Sequence, residues 1–358
     1  MVKGLTRRAM FAALPGGLIA ASNVPVRERR PLPQVGEFFR FFDPATESLV
    51  VRLTDPATSS LLPAASNRFV SSKRRFLIFS SDRTGRPTPF QLDLRTGRLR
   101  PLAQTADLVA SSLCMDPKER FVYFVDGGAL KEVALANLKI RTLAEDVSAF
   151  SMETPPSDFI IVRHGRLEQL GGAASTLADN IGSSSGPSIR PGGNGCFFAR
   201  DVSTEEREFW YASLPGGPMK PILIAKGRVS NPIWSPDGRS LLFLRDVQAN
   251  VLLSELREVV PETGAEQRVA STSQFAAFAP NADGSVFVGA SRSKAQPNVV
   301  LLLRAVKREL TLCEHRASRP ASVSPVFSPD SRRVYFQSDH QGKSALYSVN
   351  VELLIEPT

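Results

Sequence analysis

The sequence predicts an all-β protein, a seven-bladed β-propeller, from an internal repeat and from its composition. The block Ser230–Arg245, which contains Ser-Pro-Asp-Gly, returns near the C-terminus as Ser322–Phe336, and fainter copies precede both. Self-similarity at a period of about 40–45 residues is typical of propellers, in which each unit folds as one four-stranded blade. The chain has 358 residues, 42% of them hydrophobic, with 27 Pro and 24 Gly. That composition supports a large core but interrupts the chain too often for long helices, so many short strands are expected.

Seven turn positions, one in each unit, anchor the repeat. They are Ser72, Pro117, Pro155 or Pro156, Pro191, Pro236, Pro280 and Pro329. The corresponding blades are predicted near residues 66–104, 109–147, 148–181, 186–227, 229–270, 273–316 and 322–351, the last together with 36–54. The third unit is the weakest match, because it carries little beyond the apolar stretch Phe159–Val162 and a turn at His164.

The clearest unit shows how one blade is built. Pro232–Ser235 is predicted as the innermost strand, and Pro236-Asp237-Gly238 as a tight turn, since proline presets φ and glycine tolerates positive φ. Leu241–Leu244 then returns as a buried second strand. In the first unit Phe76–Phe79 takes the same part.

The two ends of the chain are predicted to meet in one blade. The last unit stops after its third strand, Ala345–Val349, while two strands at the start, Glu37–Phe42 and Leu49–Leu53, flank a turn. A propeller whose first and last blades are not joined leaves an unpaired edge strand. We therefore expect the N-terminal hairpin to complete the last blade, so that residues 36–354 form a single propeller domain.

The first 22 residues resemble a twin-arginine-type export signal. Arg7 and Arg8 precede the apolar run Ala9–Ala21, which is shorter than the ~20 residues that span a bilayer. A frayed basic N-terminus is the alternative. With residues 23–35 as a linker, the sequence predicts a periplasmic or secreted protein with no membrane span.

The charge balance favours acidic partners. The formal charge is +9, and removing Lys3, Arg7 and Arg8 with the leader leaves +9 − 3 = +6. The basic runs Arg27–Arg30 and Lys73–Arg75 lie in the predicted linker and in a blade turn, so solvated charge explains them better than nucleic-acid binding. We expect a monomer.

The Ser-Pro-Asp-Gly blocks and the loop Ser81–Gly85 resemble the WD40-like (PD40) repeats of TolB-type propellers. Over most of its mature length the chain looks more like the oligogalacturonate lyase family, also seven-bladed, whose N-terminal hairpin is similar to Asp43–Thr54. The resemblance implies a divalent metal held by several histidines and a glutamine at the channel mouth. The family's His-Pro-His-Pro block reads Ser322-Val-Ser-Pro325 here, a further His-Pro reads Asn231-Pro232, and the position in the preceding blade falls near Gln274.

The resemblance therefore implies a site without its imidazoles. β-Elimination on a uronate needs a cation to stabilise the carbanion and a base to remove the proton. Only His164, His315 and His340 occur in the whole chain. No metal or cofactor is expected, and Mn²⁺ or Ca²⁺ would be required if the lyase reaction persists. If the protein is an enzyme, it is a carbon–oxygen (polysaccharide) lyase.

Candidate ligand-binding residues lie where the inner strands begin and in the loops after the second strands. The strand positions are Asn67, Ser112, Asn231, Gln274, Ser322 and Ser324, and the loop positions are Arg83, Arg200, Arg245, Arg292 and His340. The planar arginine fork suits carboxylates. Small residues are also needed where strands converge, and each arginine could instead pair with a neighbouring aspartate or with the next blade.

Three functions follow from these observations. The first is an exported binding or interaction protein for an anionic, uronate-type saccharide or an acidic protein surface. The second is an active oligogalacturonate lyase that degrades pectin. The third is a TolB-like protein-docking module, with the flat loop face as its contact surface.

Overall fold

The computed structural model describes residues 36–153, 159–170, 175–179, 181, 186–201, 207–222, 224, 228–246, 254–272 and 275–354. Its strands form seven antiparallel sheets, which confirms the predicted all-β, seven-bladed propeller. The predicted leader, the linker and Gln274 lie outside the described residues. In the part of the chain that is described, no helix is long and apolar enough to cross a membrane.

The strands follow one another in chain order, beginning with a hairpin. It consists of β1 (Phe39–Phe42) and β2 (Leu49–Arg52). Blade 1 comprises β3 (Ser60–Leu61), β4 (Phe76–Ser81), β5 (Thr88–Asp93) and β6 (Leu99–Pro101). Blade 2 comprises β7 (Cys114–Met115), β8 (Phe121–Asp126), β9 (Ala129–Ala134) and β10 (Ile140–Ala144). Blade 3 comprises β11 (Val147–Met152), β12 (Phe159–Arg163), β13 (Arg166–Leu170) and β14 (Ser175–Ala178).

The remaining blades repeat the pattern. Blade 4 comprises β15 (Ser188–Ile189), β16 (Gly195–Asp201), β17 (Arg207–Ser213) and β18 (Met219–Ile222). Blade 5 comprises β19 (Val229–Trp234), β20 (Leu241–Asp246), β21 (Ser254–Val260) and β22 (Ala265–Thr272). Blade 6 comprises β23 (Phe275–Pro280), β24 (Val286–Ser291), β25 (Asn298–Leu303) and β26 (Arg308–Glu314). Blade 7 contains β27 (Val326–Phe327), β28 (Arg333–Ser338) and β29 (Ala345–Asn350). Two 3₁₀-helices, η1 (Ala110–Ser112) and η2 (Pro320–Ser322), precede β7 and β27.

Blade 7 also contains strands from the N-terminus. Its order is β1-β2-β29-β28-β27, with Val50 opposite Val349 and Arg52 opposite Tyr347. The backbone N–H of Leu53 donates to the carbonyl of Leu346 at 2.7 Å. The hairpin and the C-terminal strands therefore share one hydrogen-bonded sheet.

The repeated Ser-Pro-Asp-Gly block forms the turn between the first two strands of blade 5. The N–H of Gly238 donates to the carbonyl of Ser235 at 2.8 Å, and Gly238 has a φ of 68°, a left-handed conformation that glycine adopts readily. The Ser235 hydroxyl accepts the N–H of Ser240 at 3.0 Å and donates to the carboxylate of Asp237 at 2.6 Å. The motif therefore closes its turn with side-chain as well as backbone bonds.

Four other blades close the equivalent turn in the same way. A side-chain oxygen accepts the backbone N–H five residues later: Ser71 from Phe76 (3.1 Å), Asp116 from Phe121 (2.7 Å), Asn281 from Val286 (3.0 Å) and Ser328 from Arg333 (2.9 Å). We call this end of the central channel, defined by Ser71, Asp116, Ser235, Asn281 and Ser328, the turn end. Glu153 of blade 3 and Arg190 of blade 4 follow the inner strand at the same point.

The core lies between blades as well as within them. In blade 5, Leu241–Leu244 are each 0% exposed. Leu242 and Leu244 pack toward Phe275 of blade 6, whereas Leu241 and Phe243 pack toward blade 4. Because neighbours cover both faces, the second strands read as continuous apolar runs rather than alternating ones.

Candidate functional site

The seven blades converge on a cavity of about 280 Å³ in the central channel. Blades 2 to 7 contribute residues of their inner strands, and blade 1 contributes Ala65–Arg68 from the segment between β3 and β4. The polar lining includes Asn67, Arg68, Ser151, Glu153, Ser188 and Asn281. The wall therefore offers hydroxyl and amide groups, one cation and one carboxylate, beside apolar side chains such as Met115 and Trp234.

Arg68 is the cation of this cavity, and it is not among the ligand-binding residues predicted from the sequence. Its carbonyl accepts the N–H of Met115 in blade 2 at 2.7 Å, which fixes the backbone. Its side chain is exposed, and within the described residues its guanidinium has no hydrogen-bonded partner. Its position directly after the predicted mouth residue Asn67, in the segment between β3 and β4, was the available signal.

The thiol of Cys114 lies between the charges of Arg68 and Glu153. Burial raises the pKa of Cys114 to about 11, and its closeness to Glu153 acts in the same direction while Arg68 opposes it. The thiol is therefore protonated at neutral pH, and a protonated thiol is a poor nucleophile. Cys114 contributes packing to the channel wall rather than chemistry.

The asparagines at the mouth tie one blade to the next. The Nδ2 of Asn67 donates to the carbonyls of Ser111 and Leu113 at 3.0 and 3.1 Å, and the Nδ2 of Asn231 donates to Ala276 at 2.9 Å. Asn231 has a φ of 52° at an irregularity in the pairing of β19 with β20. Their amide N–H groups thus hold blade 1 to blade 2 and blade 5 to blade 6.

The serines at the mouth also make structural contacts. The Ser112 hydroxyl donates to the carbonyl of Val109 at 2.7 Å and accepts the N–H of Val125 at 2.9 Å. The Ser322 hydroxyl donates to the carbonyl of Arg319 at 2.7 Å. Ser324 is half-buried with a φ of 44°. Of the predicted mouth residues that are described, only Asn67 lines the channel cavity.

Three of the predicted arginines form ion pairs. Arg83 pairs with Glu37 of the hairpin at 2.7 Å. Arg245 pairs with Glu255 and Glu266, both at 3.1 Å, in the sheet of blade 5.

Arg292 reaches across a blade boundary. Its Nη2 lies 3.1 Å from the Asp246 carboxylate and donates to the carbonyl of Phe275 at 2.7 Å. The fourth predicted arginine, Arg200, places its guanidinium over the ring of Trp210, 4.5 Å from the centroid. In the described part of the chain, the buried Nε of Arg200 has no hydrogen-bond partner.

The three histidines do not meet in one site. His164 is exposed in a turn of blade 3, 3.7 Å from the Asp146 carboxylate. His315 is buried between blades 6 and 7, where its Nδ1 accepts the N–H of Ala317 at 3.0 Å and its Nε2 faces the carbonyl of Ser291 at 2.9 Å. This geometry fixes the proton on Nε2, and burial lowers the pKa of His315.

His340 lies just after β28 of blade 7. Its Nδ1 is 3.2 Å from the Ser338 hydroxyl, and its ring centroid is 5.5 Å from that of Tyr347. Burial and the nearby Arg316 lower the pKa of His340, so its neutral form is favoured.

Solved structures share this architecture. An oligogalacturonate lyase in complex with manganese superposes with a TM-score of 0.78 and 20% identity, over 89% of this chain and 96% of the other. An oligogalacturonate lyase from Vibrio parahaemolyticus gives 0.77 and 20%, over 89% and 97%. The fold is that of the oligogalacturonate lyases. A putative TolB from Agrobacterium tumefaciens is similar at a TM-score of 0.50 and 13% identity, over 91% and 100%. No family model and no curated protein matches the chain.

Because one similar structure is a manganese complex, the residues of this chain are compared with the ligands that Mn²⁺ requires. Imidazole and carboxylate groups are the strong protein ligands for it. Among the described residues, no group of three or more His, Cys, Asp or Glu side chains is placed to hold a metal ion. The described mouth positions carry neutral amides and hydroxyls, several of them bonded to backbone groups. This donor set does not fit Mn²⁺.

Proposed function

We propose that this protein is an exported propeller that binds anionic, uronate-type saccharides in its channel. Arg68 carries the proposal, because it places an exposed guanidinium on a cavity whose other polar groups are mainly hydroxyls and amides. Sugar hydroxyls both donate and accept hydrogen bonds, which serine and asparagine side chains match. A guanidinium binds a uronate carboxylate by a charge-assisted, bidentate hydrogen bond.

The size of the cavity fits a short ligand. Its volume of about 280 Å³ is near the lower end of ligand pockets, which span about 300–1,000 Å³. A terminal uronate residue can enter, while the rest of an oligomer lies outside the cavity over the turn end. The carboxylate of Glu153 repels a second carboxylate within the channel, so we expect one uronate to be held deeply.

The arginines of the second-strand loops have a smaller part in this proposal. Arg83, Arg245 and Arg292 already pair with carboxylates of the chain, so a ligand must compete with those partners. We expect them, together with Arg200 and His340, to contribute to affinity through the positive field at the loop face rather than through direct contacts.

Export and ring closure belong to the same proposal. Arg7 and Arg8 support a twin-arginine-type signal and therefore a periplasmic or secreted monomer, where extracellular saccharides or acidic proteins are met. The pairing of β2 with β29 supports a closing role for the hairpin, which joins the first residues of the ring to its last blade.

The test is a calorimetric titration of the purified protein with tri-galacturonate. Arg68→Ala is expected to weaken binding at least about tenfold, which corresponds to about 1.4 kcal/mol. Arg98→Ala is the matched control, because Arg98 is an exposed arginine in an outer turn of blade 1, away from the cavity. A neutral galactose oligomer of the same length should bind much more weakly. Equal affinity of the wild type and Arg68→Ala would remove the proposal.

An active lyase is the second candidate, favoured by the likeness to the manganese-bound lyase over 89% of this chain. The reaction produces an unsaturated uronate that absorbs ultraviolet light. Accumulation of this product on incubation with oligogalacturonate and Mn²⁺ would establish the lyase and replace the binding-only proposal.

A further inference from the structure

A second cavity, of about 820 Å³, lies between blades 1 and 2. Its walls come from the turn after β4, from the segment that connects β6 to blade 2, and from the outer half of blade 2. It shares no lining residue with the channel cavity. We call it the interblade cleft, and its volume is within the range of small-molecule sites, about 300–1,000 Å³.

One wall of the interblade cleft is made of hydroxyl groups held in place. Thr88 and Thr105 are 4% and 5% exposed, so both are almost fully buried. The Thr84 hydroxyl donates to that of Thr88 at 3.1 Å, and the Thr105 hydroxyl donates to the carbonyl of Pro87 at 2.5 Å. The Thr88 hydroxyl in turn donates to the carbonyl of Arg86 at 3.2 Å. These bonds use the hydroxyl protons within the protein and hold the backbone beside Arg86 in place before any ligand arrives, which lowers the entropic cost of binding.

The lining of the cleft carries a net positive charge. Arg86 is exposed, and its Nη1 makes one long bond of 3.4 Å to the carbonyl of Thr105. Its other N–H groups have no partner within the described residues. Lys131 lies 2.7 Å from the buried carboxylate of Asp126. Two cations and one carboxylate leave one positive charge, which matches a monoanion.

Asp126 fixes Lys131 rather than competing for the ligand. Its Oδ1 accepts the N–H groups of Ala106 and Asp107 at 2.9 and 2.7 Å, and its Oδ2 faces the Lys131 ammonium. Burial would raise the pKa of Asp126, but the bonds from Lys131 and the two backbone groups hold it below its usual value. The carboxylate is therefore charged and fully engaged at neutral pH.

Apolar side chains also line the cleft. They are Leu102, Leu138 and Ile140, and Ile140 is 43% exposed on the outer strand of the blade 2 sheet, where it pairs with Val133. A ligand that covers this surface gains free energy from the apolar area that it removes from water. A polyhydroxylated sugar acid gains little there, so the cleft and the channel select different chemistry.

We propose that the interblade cleft binds a small amphipathic monocarboxylate, with its carboxylate at Arg86 and its apolar body against Leu138 and Ile140. A guanidinium and apolar side chains line the same cavity, which is the combination that such a ligand needs. The proposal does not depend on saccharide binding in the channel.

Decanoate is the probe, titrated into the purified full-length protein by calorimetry, with decanol as its uncharged counterpart. Arg86→Ala and Ile140→Asp are each expected to weaken decanoate binding at least about fivefold, or about 1 kcal/mol. The controls are Arg98→Ala and Val306→Asp, since Arg98 and Val306 are exposed in turns away from the cleft. Thermal melting of each variant confirms that the fold is kept.

The outcomes separate this proposal from saccharide binding. Tri-galacturonate should not displace decanoate, and Arg68→Ala should leave decanoate affinity unchanged, whichever way the channel experiment ends. The proposal is overturned if decanoate shows no saturable binding, if decanol binds equally well, or if the control variants weaken binding as much as Arg86→Ala and Ile140→Asp do.

Discussion

The turn end and the mouth of the channel use polar side chains in opposite ways. At the turn end, Ser235 and its equivalents bond to N–H groups five residues later in the same blade. At the mouth, Asn67 and Asn231 bond to the neighbouring blade, 44 to 46 residues away. These serines therefore fold the blade at the turn end, and these asparagines join blades at the mouth. Other turn-end contacts also cross between blades, such as the N–H of Ser72 to Glu119 at 2.6 Å and the N–H of Ala282 to Ser331 at 3.1 Å.

This difference indicates where function can reside. A position that repeats around the ring with the same bond is already used by the fold. Arg68 has no hydrogen-bonded partner among the described residues, and it lines the channel cavity together with Glu153. A charged side chain that the fold does not use, more than the repeat itself, points to the ligand.

The largest expected effect on stability comes from removing the contacts between the N-terminal hairpin and β29 of the last blade. Deleting residues 36–54 removes buried Phe38, Val50 and Leu53 and leaves β29 paired with β28 alone. The loss is comparable with a whole domain's stability of about 5–15 kcal/mol, so the variant should not melt cooperatively. Circular dichroism during heating measures this, with deletion of residues 1–35 as the control. A truncated protein that is soluble and melts cooperatively would show that the ring does not need the hairpin.

The next largest effect is on a turn within one blade. Asp116 is 3% exposed, and its Oδ1 accepts the N–H groups of Arg120 and Phe121 at 2.5 and 2.7 Å. Asp116→Ala should lower the free energy of unfolding by about 2–3 kcal/mol, because bonds to a charged acceptor are lost and N–H groups are left unpaired. Urea denaturation measures it. Lys118→Ala, in the same turn, should change stability by less than about 0.5 kcal/mol.

A smaller effect is expected from the bond between blades at Asn231. Asn231→Gly keeps the backbone at a φ of 52° and removes the amide that donates to Ala276. The free energy of unfolding should fall by about 1 kcal/mol. Lys307→Gly, at an exposed position with a φ of 53°, controls for the backbone and should cost nothing. If Asn231→Gly lowers the free energy of unfolding more than Asp116→Ala does, the contact at the mouth stabilises the protein more than the contact at the turn end, which contradicts this prediction.

The smallest effect is on pH dependence. Because burial lowers the pKa of His315 in the folded state below its ordinary 6.5, the unfolded chain binds this proton more readily. Stability is therefore full above pH 6.5 and falls as the pH drops below it toward the folded-state pKa. Unfolding free energies measured across this window should fall less steeply in His315→Gln. His164→Gln, at an exposed position, should leave the slope unchanged.

The sequence predicted what short-range chemistry specifies. The Ser-Pro-Asp-Gly turn spans a few residues, so its proline, glycine and capping serine are visible as a pattern, and the seven turn positions aligned on it give the blade count. Even the faint third unit folds as β11 to β14, because Phe159–Val162 supplies its buried second strand.

The candidate site was harder to predict because its contacts are long-range. Arg83 looked available for a ligand, yet it pairs with Glu37, 46 residues away, and Arg292 pairs with Asp246 at the same separation. No local pattern signals such pairs. Arg68 has no such partner among the described residues, and only the convergence of seven inner strands shows that it lines a cavity.

The most direct test of the account is whether uronate binding depends on a metal ion. Wild-type protein is titrated with tri-galacturonate in EDTA and again with Mn²⁺, while ultraviolet absorbance is followed. The account predicts the same dissociation constant in both buffers and no absorbing product, because Arg68 and neutral side chains form the site. Binding that requires Mn²⁺, or steady formation of an unsaturated product, would contradict it.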